Sequence, residues 1–473
     1  MELRRIVFFI KLKNLNKYQI SFNNLFIMFN YKNNDLIELI LLLLLYIVTN
    51  IIYLSSIDIN IFNIYNNIGK NIYHLLDIID KKIDKTSNNN NDEKLVKIGL
   101  LTNEIPPVVH GGVATWILNF LDMFKNCENE NIIIIPIFLA YEEKNRVHLV
   151  ENKYKNIRII NEPSDIKEVF SDIDICVNNL WVALESIKQI KKEFPKMQML
   201  TVCHSLIQME HITNLGSQYT RNFEDQESTF LHSDKVICIS KAEEEFYNSF
   251  GYDKLSESCV IYNSYVPKFD HVKLKHDYTN NNIGAIGRHV PRKRMELPIY
   301  AIFKMNRKDI KVFNMGIKPN NKYWEKLKKI FGDQLVIINF SFDKNEKKRY
   351  YSNIGANCVT GIYEPFGYTT CEILDRRIPL IMQDIDGPKE IIGDKRDYVY
   401  LYDVDRKNWR NDVDNIIGAI EKFLKTSPEK RKENTEKARK ALDDFRPEVI
   451  KKEWIKLFKK SLKKSDSNKK INL

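Results

Sequence analysis

Residues 356–372 read ANCVTGIYEPFGYTTCE, and this stretch decides the fold class. Its first five residues form a short apolar run, which predicts a buried strand. Pro365 and Gly367 then predict a loop, and the residues after Gly367 predict a helix whose first backbone N–H groups are free. Glu364 lies on the loop, and Glu372 lies eight positions later in the second helical turn. A strand that runs into a loop and a helix is the repeating unit of a parallel α/β sheet.

The same alternation of short apolar runs and amphipathic stretches fills the chain from Leu95 onward. One series of predicted strands covers residues 96–101, 132–139, 173–177, 199–203 and 235–239, with a helix at 113–124. A second series covers residues 282–287, 310–315, 335–338, 356–360, 378–382 and 399–401. A polar, turn-rich stretch at residues 266–281 separates the two series. The pattern predicts an α/β protein with two Rossmann-like domains, whose parallel sheets face each other across a cleft.

The first 94 residues differ from the rest of the chain and predict an apolar helical appendage. The 19-residue stretch Leu36–Leu54 is interrupted only by Glu38, Thr49 and Asn50, which is near the length that spans a bilayer. Six Lys or Arg residues precede it, so a spanning helix would leave the N-terminus on the cytoplasmic side. Two interpretations stay open: a single-pass membrane anchor, and a helix that lies on the membrane or packs on the protein.

Charge and cysteine content exclude several classes of protein. Lys and Arg exceed Asp and Glu by 73 to 62, and the nine lysines after Val449 give the tail +7 of the net +11. The remainder is close to neutral, so we expect no nucleic-acid partner. The seven cysteines never form C-x-x-C, which argues against a disulfide framework or a zinc site and predicts free thiols in a reducing compartment. We therefore expect a cytoplasmic or membrane-associated protein.

Two further motifs follow predicted strands. Gly111 and Gly112 precede a predicted helix, where glycines let a backbone approach a ligand and free amides attract a phosphate; a tight turn without a ligand explains the pair equally well. Arg288 and Lys293 lie on one loop after the strand that ends at Gly287. A guanidinium and an ammonium placed in this way can clamp a diphosphate, although a solvated basic loop is the simpler alternative.

Together these motifs resemble those of the retaining GT-B glycosyltransferases, the group of family 4 and the glycogen and starch synthases. The resemblance lies in E-P-F-G at residues 364–367, Glu372, I-P-L-I at residues 378–381 and D-G-x-x-E at residues 386–390. Further segments match in the same order along residues 95–454: the Gly111-Gly112 pair, TVCHS at 201–205, SDKVICIS at 233–240, VIYN at 260–263, and Arg288 with Lys293.

The resemblance implies a role for each matching residue. Arg288 and Lys293 would hold the donor diphosphate and stabilise it as leaving group. Glu364 would contact the transferred sugar, and Glu372 would bind the ribose. The remaining implied site residues are His204, which would line the donor-sugar side of the cleft, and Gly111, Gly112, Phe366, Gly367, Tyr368 and Thr369, whose backbone amides would face the donor. No metal or other cofactor is required in this group.

The sequence departs from the family pattern at four positions. Arg294, Arg377 and Asp386 stand where the family commonly has glycine, and Asp375 replaces a small residue. None of these changes removes an implied catalytic group. They are expected to change the shape of the donor pocket, which selects the donor.

The composition of the chain and the resemblance together predict a domain plan. Residues 1–84 would form the apolar segment, 85–94 a linker, 95–270 the acceptor-side domain, 271–445 the nucleotide-sugar domain, and 446–473 a crossing helix with the lysine-rich tail. The tail places Ile450, Trp454, Leu457, Phe458 and Leu462 on one helical stripe. We favour packing of this stripe on the first domain, and the alternative is a basic helix on an anionic membrane.

The implied function is transfer of a hexose from a nucleotide diphosphate sugar to a hydroxyl of a glycan, lipid or small-molecule acceptor, with retention of anomeric configuration. A non-catalytic nucleotide-sugar-binding or scaffold protein on the same fold is the main alternative. A dinucleotide-dependent oxidoreductase is disfavoured because no G-x-G-x-x-G follows the first strand of the series.

Overall fold

A computed structural model describes residues 5–7, 28–30 and 95–470, apart from short internal gaps. The gaps are residues 109–110, 126, 128–129, 141–143, 180–183, 215–221, 270–274, 317–321, 340–343 and 407. The chain divides into two units, Met1–Glu93 and Lys94–Leu473. In the first unit, strands β1 (Arg5–Val7) and β2 (Met28–Asn30) pair antiparallel.

The second unit begins with a domain built on a parallel sheet. Its strands are β3 (Val96–Thr102), β4 (Ile132–Leu139), β5 (Arg158–Ile160), β6 (Ile175–Asn178), β7 (Gln198–Cys203), β8 (Lys235–Cys238) and β9 (Ser258–Val260). Its helices are α1 (Gly112–Met123), α2 (Val147–Glu151), α3 (Ile166–Val169), α4 (Leu184–Glu193), α5 (Ile207–Thr213), α6 (Phe223–Leu231) and α7 (Lys241–Ser249).

A second domain follows on another parallel sheet. Its strands are β10 (Ile283–Ile286), β11 (Val312–Gly316), β12 (Leu335–Asn339), β13 (Ala356–Val359), β14 (Leu380–Gln383) and β15 (Tyr400–Tyr402). Its helices are α8 (Leu297–Lys304), α9 (Lys322–Phe331), α10 (Lys344–Asn353), α11 (Tyr368–Asp375), α12 (Asp386–Ile392), α13 (Trp409–Lys425) and α14 (Pro428–Arg439), and α15 (Pro447–Lys470) ends the described chain.

Both sheets have the doubly wound strand order. Among the described residues, the first sheet has seven strands in the order β5-β4-β3-β6-β7-β8-β9, and the second has six in the order β12-β11-β10-β13-β14-β15. All neighbouring strands within these two sheets are parallel. The strand order reverses between β3 and β6 in one sheet and between β10 and β13 in the other. The predicted fold class of two Rossmann-like domains is therefore confirmed.

The strands form where the sequence carries short runs of apolar residues. In β7 all six residues are buried, as are all four in β6 and in β13, because helices cover both faces of a parallel sheet. Every strand predicted from the sequence is present, with its ends within two residues. The three-residue strands β5 and β9 were not predicted, since each lies at a sheet edge and has no extended apolar run.

The C-terminal helix packs on the first domain. Its apolar stripe contacts α1, where the ring centroid of Trp454 lies 5.1 Å from that of Phe120 and 6.1 Å from that of Trp116. Lys451 forms an ion pair with Glu130 at 3.1 Å. Burial of this stripe holds the end of the chain, which follows the second domain in sequence, against the first domain.

Among the described residues, no helix combines the length and the apolar character that a membrane crossing requires. The predicted anchor Leu36–Leu54 and the predicted linker at residues 85–94 lie outside those residues.

The packing of α15 predicts that Trp454→Ala strongly destabilises the protein. Trp454 is 1% exposed, and loss of a buried tryptophan costs about 3–5 kcal/mol. We expect a lower midpoint of urea unfolding, followed by far-UV circular dichroism. Lys456→Ala, at an exposed position of the same helix, is the control and should shift the free energy of unfolding by less than about 0.5 kcal/mol. Equal midpoints for the two variants would contradict the packing.

Candidate active site

Apart from His204, which follows β7, the sequence-predicted site residues follow the strands at which the two sheets reverse their order. Gly111 and Gly112 follow β3, and Arg288 and Lys293 follow β10, while Glu364 follows β13. Ligands of doubly wound sheets bind beyond the carboxyl ends of these strands, because the loops there diverge and leave a crevice. The topology therefore makes these loops the candidate site.

Lys293 and Glu364 are in direct contact. Lys293 ends a short 3-10 turn, Pro291–Lys293, and its Nζ donates a hydrogen bond to Glu364 Oε2. The two side chains are only 18% and 16% exposed. The structure thus brings together an ammonium and a carboxylate that are 71 positions apart in the sequence.

Neighbouring charges keep Glu364 ionised. Burial alone raises the pKa of the Glu364 carboxyl, but the positive charges of Lys293, Arg292 and Arg288 outweigh this effect, and the pKa is lowered. Burial lowers the pKa of the Lys293 ammonium, and the negative charge of Glu364 opposes that decrease. The pair is therefore a partly buried ion pair, with both groups close to the crevice.

Arg288 brings a second cation close to a carboxylate of the first domain. Arg288 is exposed after β10, and its charge acts on Glu104, which lies in the loop after β3. Burial raises the pKa of Glu104, and the Arg288 charge partly offsets that increase, while Glu210 adds to it. Carboxylates of the first domain and cations of the second domain therefore meet in one region.

The loop after Glu364 leads into α11 as the sequence predicts. Gly367 has φ of +109°, a conformation that favours glycine, and α11 begins at the next residue, Tyr368. Phe366 is buried against Phe445, with ring centroids 5.7 Å apart. The first N–H groups of α11, at Tyr368 and Thr369, have no acceptor within the helix, so they are available to an anion.

Glu372 lies in the second turn of α11, as predicted. Its Oε2 accepts hydrogen bonds from Lys347 Nζ at 2.6 Å and from the Tyr351 hydroxyl at 3.2 Å, and both donors belong to α10. The carboxylate side chain is 32% exposed, so part of it remains open to a ligand hydroxyl.

His204 lies directly after β7 and is neutral. Burial lowers the pKa of its imidazole to about 3, and its Nε2–H donates to Asn179 Oδ1. Its ring also packs edge-on against Trp116 of α1, with centroids 5.1 Å apart. Asn179 follows β6, so His204 is held at the order reversal of the first sheet.

Gly111 and Gly112 form the exposed start of α1. A Cβ built on either residue would meet no heavy atom within 4 Å, so the backbone here is open to a ligand. Trp116 in the same helix contacts His204. The glycine pair and His204 are thus linked through α1.

The three positions at which the family commonly has glycine share a left-handed backbone conformation. Arg294, Arg377 and Asp386 have φ of +46°, +56° and +53°, a left-handed conformation that costs an ordinary L-residue about 1–2 kcal/mol. In each case the side chain makes compensating contacts. Arg294 forms a buried ion pair with Asp412, and Arg377 bonds Glu436 at 2.9 Å and the carbonyl oxygen of Phe269 at 3.1 Å.

Asp386 supports the Glu364 loop directly. Its Oδ2 accepts the backbone N–H of Glu364 at 3.2 Å, and its Oδ1 accepts Arg406 Nη2 at 2.6 Å. Arg406 in turn donates from Nε to the carbonyl oxygen of Ile362 at 3.0 Å. The residue that departs from the family pattern is therefore part of the framework that holds Glu364.

Asp375, the fourth departure, is fully buried and holds the segment between the domains. Its Oδ2 accepts the Lys268 backbone N–H at 2.7 Å and the Tyr265 hydroxyl at 3.2 Å, and Arg439 pairs with it at 3.3 Å.

Within the described residues, no three His, Cys, Asp or Glu side chains are arranged to hold a metal ion.

Sequence reasoning missed the contacts that join the two domains. Arg292 donates to Glu210 Oε1 at 3.3 Å, and the carboxylate of Glu390 accepts the N–H groups of Lys241 and Ala242 at 2.9 and 2.7 Å. Arg292 belongs to the basic run RKR at residues 292–294. Nothing in that run indicates which of its two arginines is buried against the first domain. In the sequence, Glu390 is recognisable only as part of the family pattern.

The left-handed backbone at Asp386 predicts an unusual order of stability. Asp386→Gly and Asp386→Ala both lose the bonds to Glu364 and Arg406, but only alanine retains the cost of positive φ. We expect Asp386→Gly to be more stable than Asp386→Ala by about 1 kcal/mol in the free energy of unfolding, measured by urea unfolding. At exposed Lys389, in the same helix, the order should reverse, with alanine more stable than glycine by about 0.5–1 kcal/mol. The same order at both positions would contradict the assigned backbone.

Comparisons with known proteins identify a family match and solved structures of the same fold. Residues 267–441 match the model of the family described as glycosyl transferases group 1. A comparison with curated proteins finds no match. Sucrose-phosphate synthase from Thermosynechococcus elongatus is a similar solved structure, with a TM-score of 0.58 at 16% identity, covering 77% of this chain and 98% of that one.

Two other solved structures are similar to the same extent. Anabaena HepE in complex with UDP and glucose has a TM-score of 0.57 at 14% identity, covering 77% of this chain and 99% of that one. A mutant of TarM from S. aureus, in complex with fondaparinux, α-GlcNAc-glycerol and UDP, has a TM-score of 0.57 at 13% identity, with 77% and 99% covered. The resemblance to GT-B glycosyltransferases is thereby confirmed: the chain has the GT-B fold, and residues 267–441 match the glycosyl transferases group 1.

Proposed function

We propose that the protein transfers a hexose from a nucleotide diphosphate sugar to an acceptor hydroxyl, with retention of anomeric configuration. The observation that carries this proposal is the contact between Lys293 and Glu364 after the reversal strands β10 and β13. In a sugar nucleotide an anionic phosphate is joined directly to a neutral sugar. An ammonium and an ionised carboxylate side by side suit that junction, because one attracts the phosphate and the other accepts sugar hydroxyls.

The charges around this pair support a role in leaving-group stabilisation. When the bond between the anomeric carbon and the phosphate oxygen breaks, negative charge grows on the diphosphate. Arg288 and Lys293 would stabilise that charge, and the free N–H groups at the start of α11 would add to it. In the proposed reaction the acceptor oxygen bonds the anomeric carbon on the same face, and its proton passes to the departing phosphate oxygen.

Residues of both domains complete the proposed site. His204 is neutral, so it can line the sugar side of the crevice without competing for the phosphate. Glu372 is proposed to bind the ribose, for which its partly exposed carboxylate is suited. Gly111 and Gly112 are proposed to bring the start of α1 to the donor.

The donor is proposed to be a UDP-sugar. Solved structures of HepE and of TarM contain UDP, and one of HepE contains UDP-glucose. The acceptor is proposed to be a glycan, a lipid or a small molecule with a free hydroxyl. Attachment to a membrane through Leu36–Leu54 stays a prediction of the sequence.

The proposal is tested by incubating the full chain with UDP-, GDP- and ADP-sugars and following both the thermal shift and the slow release of nucleoside diphosphate. We expect one donor to raise the melting temperature and to be hydrolysed. Glu364→Ala and Lys293→Ala should each reduce release by about 100-fold or more, since each removes a charged group from the reacting centre. Proton NMR of the released sugar reports whether its anomeric configuration is retained.

Lys304→Ala is the matched control for these variants. Lys304 forms an exposed ion pair with Asp414 at 2.5 Å on the second domain, and its removal should leave release unchanged. Donor binding without release, even with glycan and lipid acceptors present, would favour the non-catalytic alternative. If no donor binds, the clamp assigned to Arg288 and Lys293 is wrong.

Transfer is also expected to withstand chelation. Because Arg288 and Lys293 supply the positive charge in the proposed reaction, the rate of transfer in the presence of excess EDTA should equal the rate in its absence. Nucleoside diphosphate release measures both rates. A loss of activity that added Mg²⁺ or Mn²⁺ restores would show that a metal ion takes part.

A further inference from the structure

The side chain of Tyr363 crosses from the second domain into the first. Tyr363 immediately precedes Glu364, yet its ring is fully buried within a first-domain cluster that includes Cys203, Leu206 and Phe230. It also packs edge-on against Phe246 of α7, with ring centroids 5.8 Å apart. The residue next to the proposed sugar-binding carboxylate is thus embedded in the core of the opposite domain.

The hydroxyl of Tyr363 is held by two groups of the first domain. It donates to the carboxyl of Glu243, with distances of 2.8 Å to Oε1 and 2.9 Å to Oε2, and it accepts the backbone N–H of Leu206 at 2.8 Å. Glu243 is on α7 and is fully buried. Leu206 lies two residues after His204, so the same hydroxyl is tied to the loop that carries the histidine.

Hydrogen bonds of the backbone around Tyr363 link the position of its ring to the position of Glu364. The Ile362 N–H donates to the Arg292 carbonyl oxygen at 2.9 Å, and the Tyr363 carbonyl oxygen accepts Arg292 Nη1 at 3.1 Å. The Glu364 carbonyl oxygen accepts the Gly387 N–H at 3.1 Å. With these bonds in place the loop has little freedom, so a shift of the Tyr363 ring has to move Glu364 as well.

We propose that Tyr363 is a positioning residue, which places Glu364 for reaction with the donor sugar only while its hydroxyl lies between Glu243 and the Leu206 amide. The inference rests on the proposed function, because it assigns Glu364 to the sugar. The contact between the domains can nevertheless be measured without any transfer reaction.

The surroundings of Glu243 make the contact sensitive to alkaline pH. The titratable groups that act on it include the Tyr363 hydroxyl, the thiols of Cys203 and Cys238 and the carboxyl of Asp386. Two cations lie behind these groups: Arg406 pairs with Asp386 at 2.6 Å, and the Arg292 guanidinium lies 6.0 Å from the Tyr363 ring centroid. Burial raises the pKa of Glu243 to about 8. The hydrogen bond from the Tyr363 hydroxyl opposes this increase, because it favours the ionised carboxylate, but burial outweighs it. Burial of Glu243 in the closed protein therefore favours the protonated carboxyl, so the closed form is fully stable below the ordinary pKa of a glutamate and loses stability as the pH rises through about 8.

Hydrogen–deuterium exchange tests the contact itself in the full chain. Tyr363→Phe removes the acceptor of the Leu206 N–H, and we expect exchange at Leu206 to accelerate about tenfold, the equivalent of one buried hydrogen bond. Tyr350→Phe is the control, because it removes a buried hydroxyl that bonds Asn357 Oδ1 at 2.6 Å inside the second domain. Leu206 exchange should be unaffected in this control. An unchanged rate in Tyr363→Phe would overturn the inference.

Kinetics test the positioning role. Tyr363→Phe should lower kcat about 10-fold to 100-fold and change the donor KM by less than about threefold, since the donor still binds but Glu364 is misplaced. Tyr350→Phe, with a comparable loss of stability, should keep the kcat of the wild type. A wild-type kcat in Tyr363→Phe contradicts the proposal.

Glu243→Gln separates positioning from a general loss of stability. Glutamine keeps an acceptor oxygen for Tyr363 but does not ionise, so we expect kcat near that of the wild type at pH 7 and no loss as the pH rises through about 8. The wild type should lose kcat over the same interval. The same decrease in kcat above about pH 8 in the wild type and in Glu243→Gln would contradict the proposal. If the wild type transfers no sugar at all, the proposed function fails, and the exchange rates alone decide whether Tyr363 ties the domains.

Discussion

The ion pair of Lys293 and Glu364 is the contact on which the rest of the site depends. A charge held away from water costs several kcal/mol unless a partner and hydrogen bonds offset it, and these two side chains are each less than one-fifth exposed. Each therefore stabilises the other where it lies. The loops after β10 and β13 have to bring them together, and the remaining bonds of those loops serve that placement. A diphosphate that bound Lys293 would compete for its ammonium, so the pair also couples phosphate binding to the position of Glu364.

The departures from the family pattern show how such a framework tolerates change. Glycine is suited to a left-handed backbone, and Arg294, Arg377 and Asp386 adopt that backbone at a cost of about 1–2 kcal/mol each. Their side chains then form ion pairs or bond a carbonyl oxygen, which glycine cannot do. At Asp386 the gain reaches the site, because its carboxylate accepts the N–H of Glu364. Any change in donor-pocket shape therefore comes from the contacts that these side chains add, since the backbone keeps the conformation that glycine favours.

The sequence predicted the elements of the fold and not the contacts between the domains. Strand runs such as Ile132–Leu139 were recognisable because a sheet covered on both faces needs continuous apolar residues. The helix after Gly367 was recognisable from its glycine and from the polar loop before it. The bond between Tyr363 and Glu243 spans 120 positions, and it depends on the relative orientation of two sheets, which no local pattern encodes. Arg292 and Lys293 are neighbours in one basic run, and only the fold directs one to Glu210 and the other to Glu364.

The contacts from the second domain converge on two helices of the first. Arg292 reaches Glu210 on α5, and Tyr363 reaches Glu243 on α7. Glu390 caps the start of α7, a position where a carboxylate is stabilised by free N–H groups. Glu390 lies four residues after Asp386 in α12, and Asp386 holds the N–H of Glu364. A rotation that separated the domains would have to pull Glu390 from α7 and Tyr363 from Glu243 together, and both movements act on the loop of Glu364. Opening the crevice therefore has to disturb the proposed sugar-binding carboxylate, which makes domain closure and the placement of Glu364 one process in this fold.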